Sequence, residues 1–258
     1  MGLYVLVLQW VARHVESFSA SGYSAFGPRR GPLKLSRIRE VDSVILAALG
    51  DVAGNFAALE AALVDIEDAG ILTVVQTGNV VGEVGGDAAL RSLRERGVVL
   101  VQGLHDRQVA RARRPSRRTL LLRKLGEETF ETLQRLHDSL PRDTVEFLAR
   151  LPHMHTMTVD GFGIVVCHGS ISRVTDRIDA TTPLERLRRQ REMAPADVIV
   201  CGGSPAPFSR LVDGTLFVGP GPLCGAVGDD DACYTVIDLD SEPRRAFTRS
   251  VPIPAIGR

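Results

Sequence analysis

The sequence predicts an α/β fold with parallel strands at its centre. From residue 41 onwards, short apolar runs of strand length alternate with stretches of helical periodicity, the pattern of strand–helix–strand units. Some of these runs are apolar throughout, as in VILAAL at 44–49, which indicates strands buried on both faces. Shares of 44% hydrophobic and 24% charged residues over 258 positions are typical of a globular protein and exclude a largely disordered chain.

The first half of the pattern is regular. A strand at 44–49 precedes a helix over 56–69, for which Asn55 is a suitable N-terminal cap and Gly70 a suitable end. A second strand follows at residues 72–76.

The next helix is expected over residues 88–96, with Asp87 as its cap and Gly97 as its end. A third strand then follows at residues 98–102. Strands separated by single helices in this way predict a parallel sheet.

The second half contains more strands and shorter turns. A helical stretch is expected from about 117 to 151, and one further helix near 183–193. Short strands are expected at 154–159, 164–167, 198–201, 216–218 and 233–239. With no internal repeat or linker in the sequence, we expect a single folded domain over residues 41–258.

Residues 1–40 differ from the rest of the chain. An apolar start gives way to SFSASGYSAFGPRRGP, whose Ser, Gly and Pro content predicts an extension outside the core fold. The apolar segment from Leu3 to Ala12 is too short for a membrane crossing, which needs ~20 residues, and it lacks the basic start of a signal peptide. We therefore expect a cytoplasmic protein without a membrane partner.

Charge and cysteine usage narrow the function classes. With 31 basic and 31 acidic side chains, the net charge is zero, whereas sequence-independent nucleic-acid binding needs a basic excess. The four cysteines show no CxxC spacing, and Cys167 and Cys201 lie in apolar strand-like runs. Buried free thiols are therefore favoured over a disulfide framework or a zinc site.

Polar and glycine-rich motifs follow the predicted strands. Ligands of open α/β sheets bind beyond the carboxyl ends of the strands, so these loops are the place to look for a site. In chain order the motifs are LGDVAGN (49–55), TGNVVG (77–82), QGLHD (102–106), CHGS (167–170), CGGSPAPF (201–208) and VGPGPLCG (218–225).

The order and spacing of these motifs resemble the calcineurin-like metallophosphoesterases, in particular their small bacterial branch. The resemblance covers about residues 43–240. It implies a four-layer α-β-β-α sandwich with mixed sheets. It also implies a site for two divalent cations that clamp a phosphate and generate a hydroxide nucleophile.

The motifs depart from the family at most of its ligand positions. By the resemblance, Asp51 and His168 stand at metal-ligand positions and His105 at the position of a phosphate-facing histidine. At the bridging Asp the chain has Asn79, whose neutral amide brings no charge to offset two dications. Other positions of that ligand set are also replaced, by Ala53, Leu104, Gly203 and Pro205. We therefore predict that the two divalent metals are lost. No residue is assigned a catalytic role, except His105 if the protein is active.

The expected function is that of a degenerate metallophosphoesterase, a pseudoenzyme that retains an anion- or nucleotide-binding pocket. Backbone N–H groups near residues 54–55 and 202–204 would favour an anion there without metal. Its partner would be a phosphate-containing small molecule or a protein. The residues predicted to bind the ligand are Asp51, Asn55, Asn79, His105, His168, Arg173 and Ser204. A purely structural interpretation stays open for Asp51 and Asn55 as caps and for Arg173 as a solvated side chain.

Two alternatives remain. The first is a phosphomonoesterase or phosphodiesterase with a one-metal or metal-independent site that uses His105 as general acid. The second is nucleic-acid binding through the basic run from Arg107 to Lys124, although a run without interleaved aromatic residues is more typical of a solvated helix face. His153 and His155 share one strand face, and we expect an exposed hairpin there rather than a metal site.

Overall fold

The computed structural model describes residues 44–82, 85–223 and 231–253. The predicted extension at residues 1–40 and Cys224 lie outside the described residues. Within these ranges no helix is both long and apolar enough to cross a membrane.

Ten strands and seven helices make up the described part of the chain. In order they are β1 (Ile45–Leu49), α1 (Phe56–Asp68), β2 (Thr73–Gln76), α2 (Gly86–Glu95), β3 (Val99–Leu100), α3 (Leu104–Arg111), α4 (Pro115–Leu125), α5 (Glu127–Ser139), α6 (Arg142–Arg150), β4 (Met154–Val159), β5 (Phe162–Cys167), α7 (Leu184–Met193), β6 (Val198–Cys201), β7 (Phe208–Val212), β8 (Thr215–Gly219), β9 (Asp231–Asp238) and β10 (Arg245–Pro252).

The strands form two mixed sheets of five strands each. The first has the order β10-β9-β1-β2-β3, in which β1, β2 and β3 run parallel and β9 and β10 are antiparallel. The second has the order β4-β5-β6-β8-β7, with a parallel centre and an antiparallel strand at each edge. The parallel strands of each sheet therefore end at one common edge.

The core between the sheets consists of alternate residues of the central strands. Leu46 and Ala48 of β1 share one buried cluster with Ile164 and Val166 of β5. Successive side chains of a strand point to opposite faces, so the residues between them face outward. Each fully buried large apolar side chain of this kind contributes roughly 1.5–3 kcal/mol to stability.

Helices cover the outer face of each sheet. Ala47 and Leu49 of β1 lie in a cluster with Leu59 of α1, and Cys167 of β5 lies in a cluster with Leu187 of α7. The layers are thus helix, sheet, sheet and helix. The four-layer sandwich with mixed sheets, which the resemblance implied, is confirmed.

The two cysteines predicted to be buried thiols are buried and free. Cys167 and Cys201 lie opposite each other on neighbouring parallel strands, with their Sγ atoms 3.9 Å apart. Burial and the neighbouring sulfur both hold the pKa of Cys201 well above its usual value, with the contact to Cys167 as the larger cause. Both side chains act as small apolar core residues.

One predicted cap is wrong. The helix α2 begins at Gly86 with Gly85 as its cap, and Asp87 lies inside the first turn. The Asp87 carboxylate accepts a hydrogen bond from Thr144 Oγ1 of α6 (2.5 Å) and pairs with Arg91 (2.8 Å). The contact with Thr144, 57 residues further along the chain, engages the Asp87 side chain, and a cap predicted from the local sequence could not include it.

Candidate functional site

The loops that follow β1, β2, β5, β6 and β8 meet at one edge of the sandwich. Gly50, after β1, approaches the loop after β8 so closely that an added Cβ would lie 1.5 Å from the Gly221 carbonyl oxygen. Gly202, after β6, approaches the loop after β2, where an added Cβ would lie 2.6 Å from Thr77 Oγ1. These two glycines let four of the loops approach closely where larger side chains would separate them.

Asn79 connects the loops after the first three strands. Its Nδ2 donates to Asp51 Oδ2 over 2.8 Å, and its Oδ1 accepts the backbone N–H of His105 over 2.8 Å. The partners determine the orientation of the amide, because a carboxylate can only accept and a backbone N–H can only donate. Asn79 also has a positive φ of 57°, a conformation that Asn tolerates better than most residues.

Asp106, in the first turn of α3, holds the backbone of the loop after β2 in place. No role was predicted for it from the sequence. Its fully buried carboxylate accepts backbone N–H groups from Asn79 (2.7 Å), Val80 (2.9 Å), Val81 (3.2 Å) and Gly103 (3.0 Å). An Asp three residues after the glycine that precedes a helix is a capping signal, and this spacing was present in the sequence.

His168 lies at the end of β5 with one ring nitrogen engaged. Its Nδ1 donates to the Thr77 carbonyl oxygen over 2.8 Å, which fixes the tautomer that leaves Nε2 as an acceptor. Nε2 faces the backbone of Gly203, where an added Cβ would lie 3.4 Å away. The imidazole is 5% exposed, and its Nδ1 lies 4.0 Å from Asp51 Oδ1.

Asp51 is the carboxylate at the centre of the cluster. The side chain as a whole is 27% exposed, but Oδ1 is shielded from solvent and has no hydrogen-bond partner among the described residues. Burial raises the pKa of Asp51, against the opposing effects of His168 and of the Asn79 hydrogen bond. A buried oxygen without a hydrogen-bond partner lowers the free energy of unfolding. Such atoms are found at functional sites, where the arrangement is not optimised for stability.

The donor set at this edge does not fit two divalent cations. The described residues contain no group of three or more His, Cys, Asp or Glu placed to hold a metal ion. Both oxygens of Asp106 accept backbone N–H groups, and Asn79 Oδ1 accepts another, so among Asp51, Asn79, Asp106 and His168 the described hydrogen bonds leave Asp51 Oδ1 and His168 Nε2 unoccupied. Zinc sites use three or four protein ligands each, and a two-cation site needs more than one carboxylate oxygen and one imidazole nitrogen.

Asn55 and Ser204 make structural hydrogen bonds, and a ligand-binding role for them stays a prediction. Asn55 Oδ1 accepts the Ala58 N–H (3.0 Å), which confirms it as the cap of α1. The Ser204 hydroxyl donates to the Ala206 carbonyl oxygen (2.6 Å).

The backbone donors expected to hold an anion near residues 54–55 are engaged within the loops. The N–H groups of Ala53, Gly54, Asn55 and Phe56 donate to carbonyl oxygens at 2.8–2.9 Å. An anion at this position would have to displace these bonds, and a ligand-binding role for these groups stays a prediction.

Arg173 lines a cleft whose lining residues do not include Asp51. Together with Arg107 and Arg111 of α3 it lines a concave space of about 460 Å³. The rest of the basic run continues along α4, which has no buried residue, as expected of a solvated helix. His153 borders the same cleft as an exposed residue, and its Nε2 lies 3.3 Å from the Ile171 carbonyl oxygen.

Comparison with known proteins gives a family match and a set of similar folds. Residues 44–242 match the model of the calcineurin-like phosphoesterase superfamily domain. A hypothetical protein from Pyrococcus horikoshii OT3 is similar in structure, with a TM-score of 0.67 and 21% identity over 82% of this chain and 89% of that chain.

Two further solved structures share the fold. A metallophosphoesterase from Sphaerobacter thermophilus matches at a TM-score of 0.59 and 18% identity, over 82% of this chain and 89% of that one. A putative diadenosine tetraphosphatase matches at 0.52 and 18%, over 82% and 94% of the two chains. No curated protein matches the chain.

Proposed function

The chain belongs to the calcineurin-like phosphoesterase superfamily, and we propose that it keeps this fold without the two-metal reaction. In this proposal it is a pseudoenzyme that holds no divalent metal pair. Its role is to bind or scaffold, through a phosphate-containing small molecule or a protein partner.

The orientation of the Asn79 amide is the observation that carries the proposal. The amide N–H group occupies Asp51 Oδ2, and the amide oxygen is held by the backbone of His105. A cation between these loops would meet a donor where it needs an acceptor. Rotating the amide would expose its oxygen to Asp51 and its N–H group to another N–H, which replaces two hydrogen bonds with two repulsive contacts.

The missing charge matters for chemistry as well as for binding. In two-metal sites the cations lower the pKa of a bound water and stabilise the attacking and leaving oxygens. Uncatalysed phosphate-monoester hydrolysis needs accelerations of up to ~10²¹-fold. Among the described residues of the loop cluster, Asp51 Oδ1 and His168 Nε2 supply one carboxylate oxygen and one imidazole nitrogen, which is too little to replace that contribution.

Metal content and turnover test the proposal together. The full chain is incubated with excess Mn²⁺ or Zn²⁺ and desalted, and metal per chain is measured by mass spectrometry of the digested sample. The same preparation is assayed with p-nitrophenyl phosphate and bis(p-nitrophenyl) phosphate. We expect no stoichiometric metal and no turnover above buffer. About two metal equivalents with turnover would overturn the proposal.

The two unoccupied ligand atoms, Asp51 Oδ1 and His168 Nε2, favour one alternative, a phosphoesterase with a single weakly held metal or none. In that case Asp51 and His168 would hold the metal, and the predicted general acid is His105. One retained equivalent with turnover that His105→Ala abolishes would establish this alternative. Turnover that survives His105→Ala points to a contaminating phosphatase.

A further inference from the structure

A concave site lies next to the loop after β3, which contributes Gln102 to its lining, and includes none of Asp51, Asn79 and His168. This arginine cleft, as we call the space lined by Arg107, Arg111 and Arg173, has a volume of about 460 Å³. That volume lies within the range of small-molecule sites, ~300–1,000 Å³. Apolar side chains of Leu151, Pro152 and Val174 form part of its wall.

The arginines of the cleft lack counter-charges. None of the three makes a salt bridge or a side-chain hydrogen bond to a described residue, whereas Arg113, just after the same helix, pairs with Asp138. No described residue that lines the cleft is acidic. Three guanidinium groups around one space with no carboxylate among them make a region of positive potential.

The fold brings these arginines together from two distant segments. Arg107 and Arg111 are four residues apart on α3 and therefore share one face of that helix. Arg173 comes from the loop after β5, where the Ser170 Oγ accepts its backbone N–H over 3.1 Å. Burial lowers the pKa of Arg111, and the neighbouring charge of Arg107 lowers it further, so their proximity is unfavourable without an anion.

We propose that the arginine cleft binds a small anion that carries two or more phosphate groups. Guanidinium groups bind phosphate oxygens in a bidentate manner, and three of them match the charge of a pyrophosphate better than that of a single phosphate. The apolar wall would take an uncharged part of the ligand. This inference deepens the proposed binding role by placing it in a cleft, and it is independent of the loss of the metal pair.

Nucleic acid is a less suitable occupant of this cleft. Single-stranded nucleic acid is held by an extended basic groove with aromatic side chains on which bases stack. No Phe, Tyr or Trp is among the described residues that line the cleft, and its volume of about 460 Å³ is that of a small-molecule site rather than of an extended groove. The concave shape favours a compact anion over a polymer.

Calorimetric titration with inorganic pyrophosphate and tripolyphosphate tests the inference. EDTA is present throughout, so that a metal-mediated site contributes nothing, and inorganic phosphate at the same ionic strength is the reference ligand. We expect pyrophosphate to bind more tightly than phosphate. The double variant Arg107→Gln/Arg111→Gln should weaken pyrophosphate binding by about 10- to 100-fold, a loss of about 1.4–2.8 kcal/mol, because it removes two of the three charged groups that bind the ligand.

A matched double variant controls for overall charge. Arg118→Gln/Arg123→Gln removes two exposed arginines of the same basic run that do not line the cleft, and should leave binding unchanged. Thermal melting checks that both doubles fold, and Arg173→Gln on the exposed loop provides a second test if the helix variants are unstable. Equal weakening in both doubles, or no preference for pyrophosphate over phosphate, would overturn the inference.

The outcomes for the two proposals are distinguishable. Pyrophosphate binding in EDTA together with metal-dependent turnover in the metal-loaded sample would refute the pseudoenzyme and keep the cleft. Absence of both binding and metal would refute the cleft and keep the pseudoenzyme. An oligonucleotide that binds through the cleft when pyrophosphate does not would also refute the small-anion assignment.

Discussion

Asn79 donates its amide N–H to Asp51 across 2.8 Å, and this is the one side-chain hydrogen bond that the Asp51 carboxylate receives from the described residues. It joins the loop after β1 to the loop after β2. Two expectations follow from it, one for each partner.

Replacing Asn79 by Asp should make the protein sensitive to divalent cations. Two carboxylates at hydrogen-bond distance cannot both ionise without cost, so Asn79→Asp should melt at a lower temperature at pH 7 without metal. Mn²⁺ should restore part of the loss by binding between them. A change of 1 kcal/mol shifts the melting temperature of a domain of this size by about 2–4 °C.

Asn55→Asp is the matched control for that variant. Asp is as good an N-terminal cap as Asn, so its melting temperature should not change and should not respond to Mn²⁺. If Mn²⁺ stabilises wild type as much as Asn79→Asp, the loss of the metal pair is refuted.

Asp51→Asn should alter how stability depends on pH. The folded-state pKa of Asp51 is raised above its ordinary value of 3.8, so the folded protein binds more protons than the unfolded chain as pH rises past that value. Wild type therefore loses stability relative to Asp51→Asn as the pH increases from about 4 towards neutrality.

Urea unfolding of wild type and Asp51→Asn between pH 4 and pH 7 measures this difference. The exposed Asp143 serves as control, since Asp143→Asn removes a surface carboxylate. A stability difference between Asp51→Asn and wild type that does not change with pH would contradict the expected shift.

Asp106→Ala should destabilise the fold and the loop cluster together. It leaves four backbone N–H groups without their acceptor, and hydrogen bonds to a charged group are worth ~1.5–3 kcal/mol each before relaxation and water entry. We expect a loss of at least about 3 kcal/mol in the free energy of unfolding. Glu131→Ala on the exposed face of α5 should cost little, and equal losses in both variants would show that Asp106 has no special role.

Asp65→Asn should cost stability at neutral pH and less in acid. The Asp65 carboxylate accepts hydrogen bonds from Tyr234 (2.7 Å) and Arg249 (2.7 Å), which tie α1 to β9 and β10. Burial raises the pKa of Asp65, but these bonds outweigh it, and the net pKa lies below 3.8. We expect a loss of about 2 kcal/mol at pH 7.

The Asp65 contribution is fully present above the ordinary pKa and is lost as the pH falls through the lowered folded-state value. The difference between Asp65→Asn and wild type should therefore shrink below about pH 4, which acid unfolding monitored by circular dichroism can measure. A difference that grows in acid would contradict the direction of the shift. Tyr234→Phe should lose only part of the effect, because Arg249 remains.

Much of the order of strands and helices could be predicted from the local sequence, because the central strands are apolar and several helices have capping residues at their ends. The run at 44–49, Asn55 and Gly70 lead to β1 and α1 without reference to the rest of the chain. The edge strand β10 was missed because its residues are largely exposed and its order comes from pairing with β9. The short strand β7 was missed for a related reason, since its pairing with β8 is what defines it.

The helix α3 and the arginine cleft depend on contacts that local pattern does not reveal. The loop before α3 is held by Asp106, whose partners include residues near position 80, and the sequence offered only its capping distance from Gly103 and not these distant partners. Arg173 was singled out from the sequence as a possible anion contact, whereas its neighbours Arg107 and Arg111 were grouped with a solvated run. Their grouping follows from the packing of α3 beside the loop after β5.

The strands that hold the layers together end before the polar residues of the sheet edge begin. In β1, Leu46 and Ala48 pack against the second sheet, and Ala47 and Leu49 pack against the helices. Asp51 and Asn79 lie beyond Leu49 and Gln76, the last paired residues of their strands. Substitution of side chains such as Asp51 and Asn79 therefore leaves the strand pairing intact, in contrast to Asp106, which holds the loops themselves. Such a scaffold can lose one chemistry and acquire another by drift in its loops, with no need to refold.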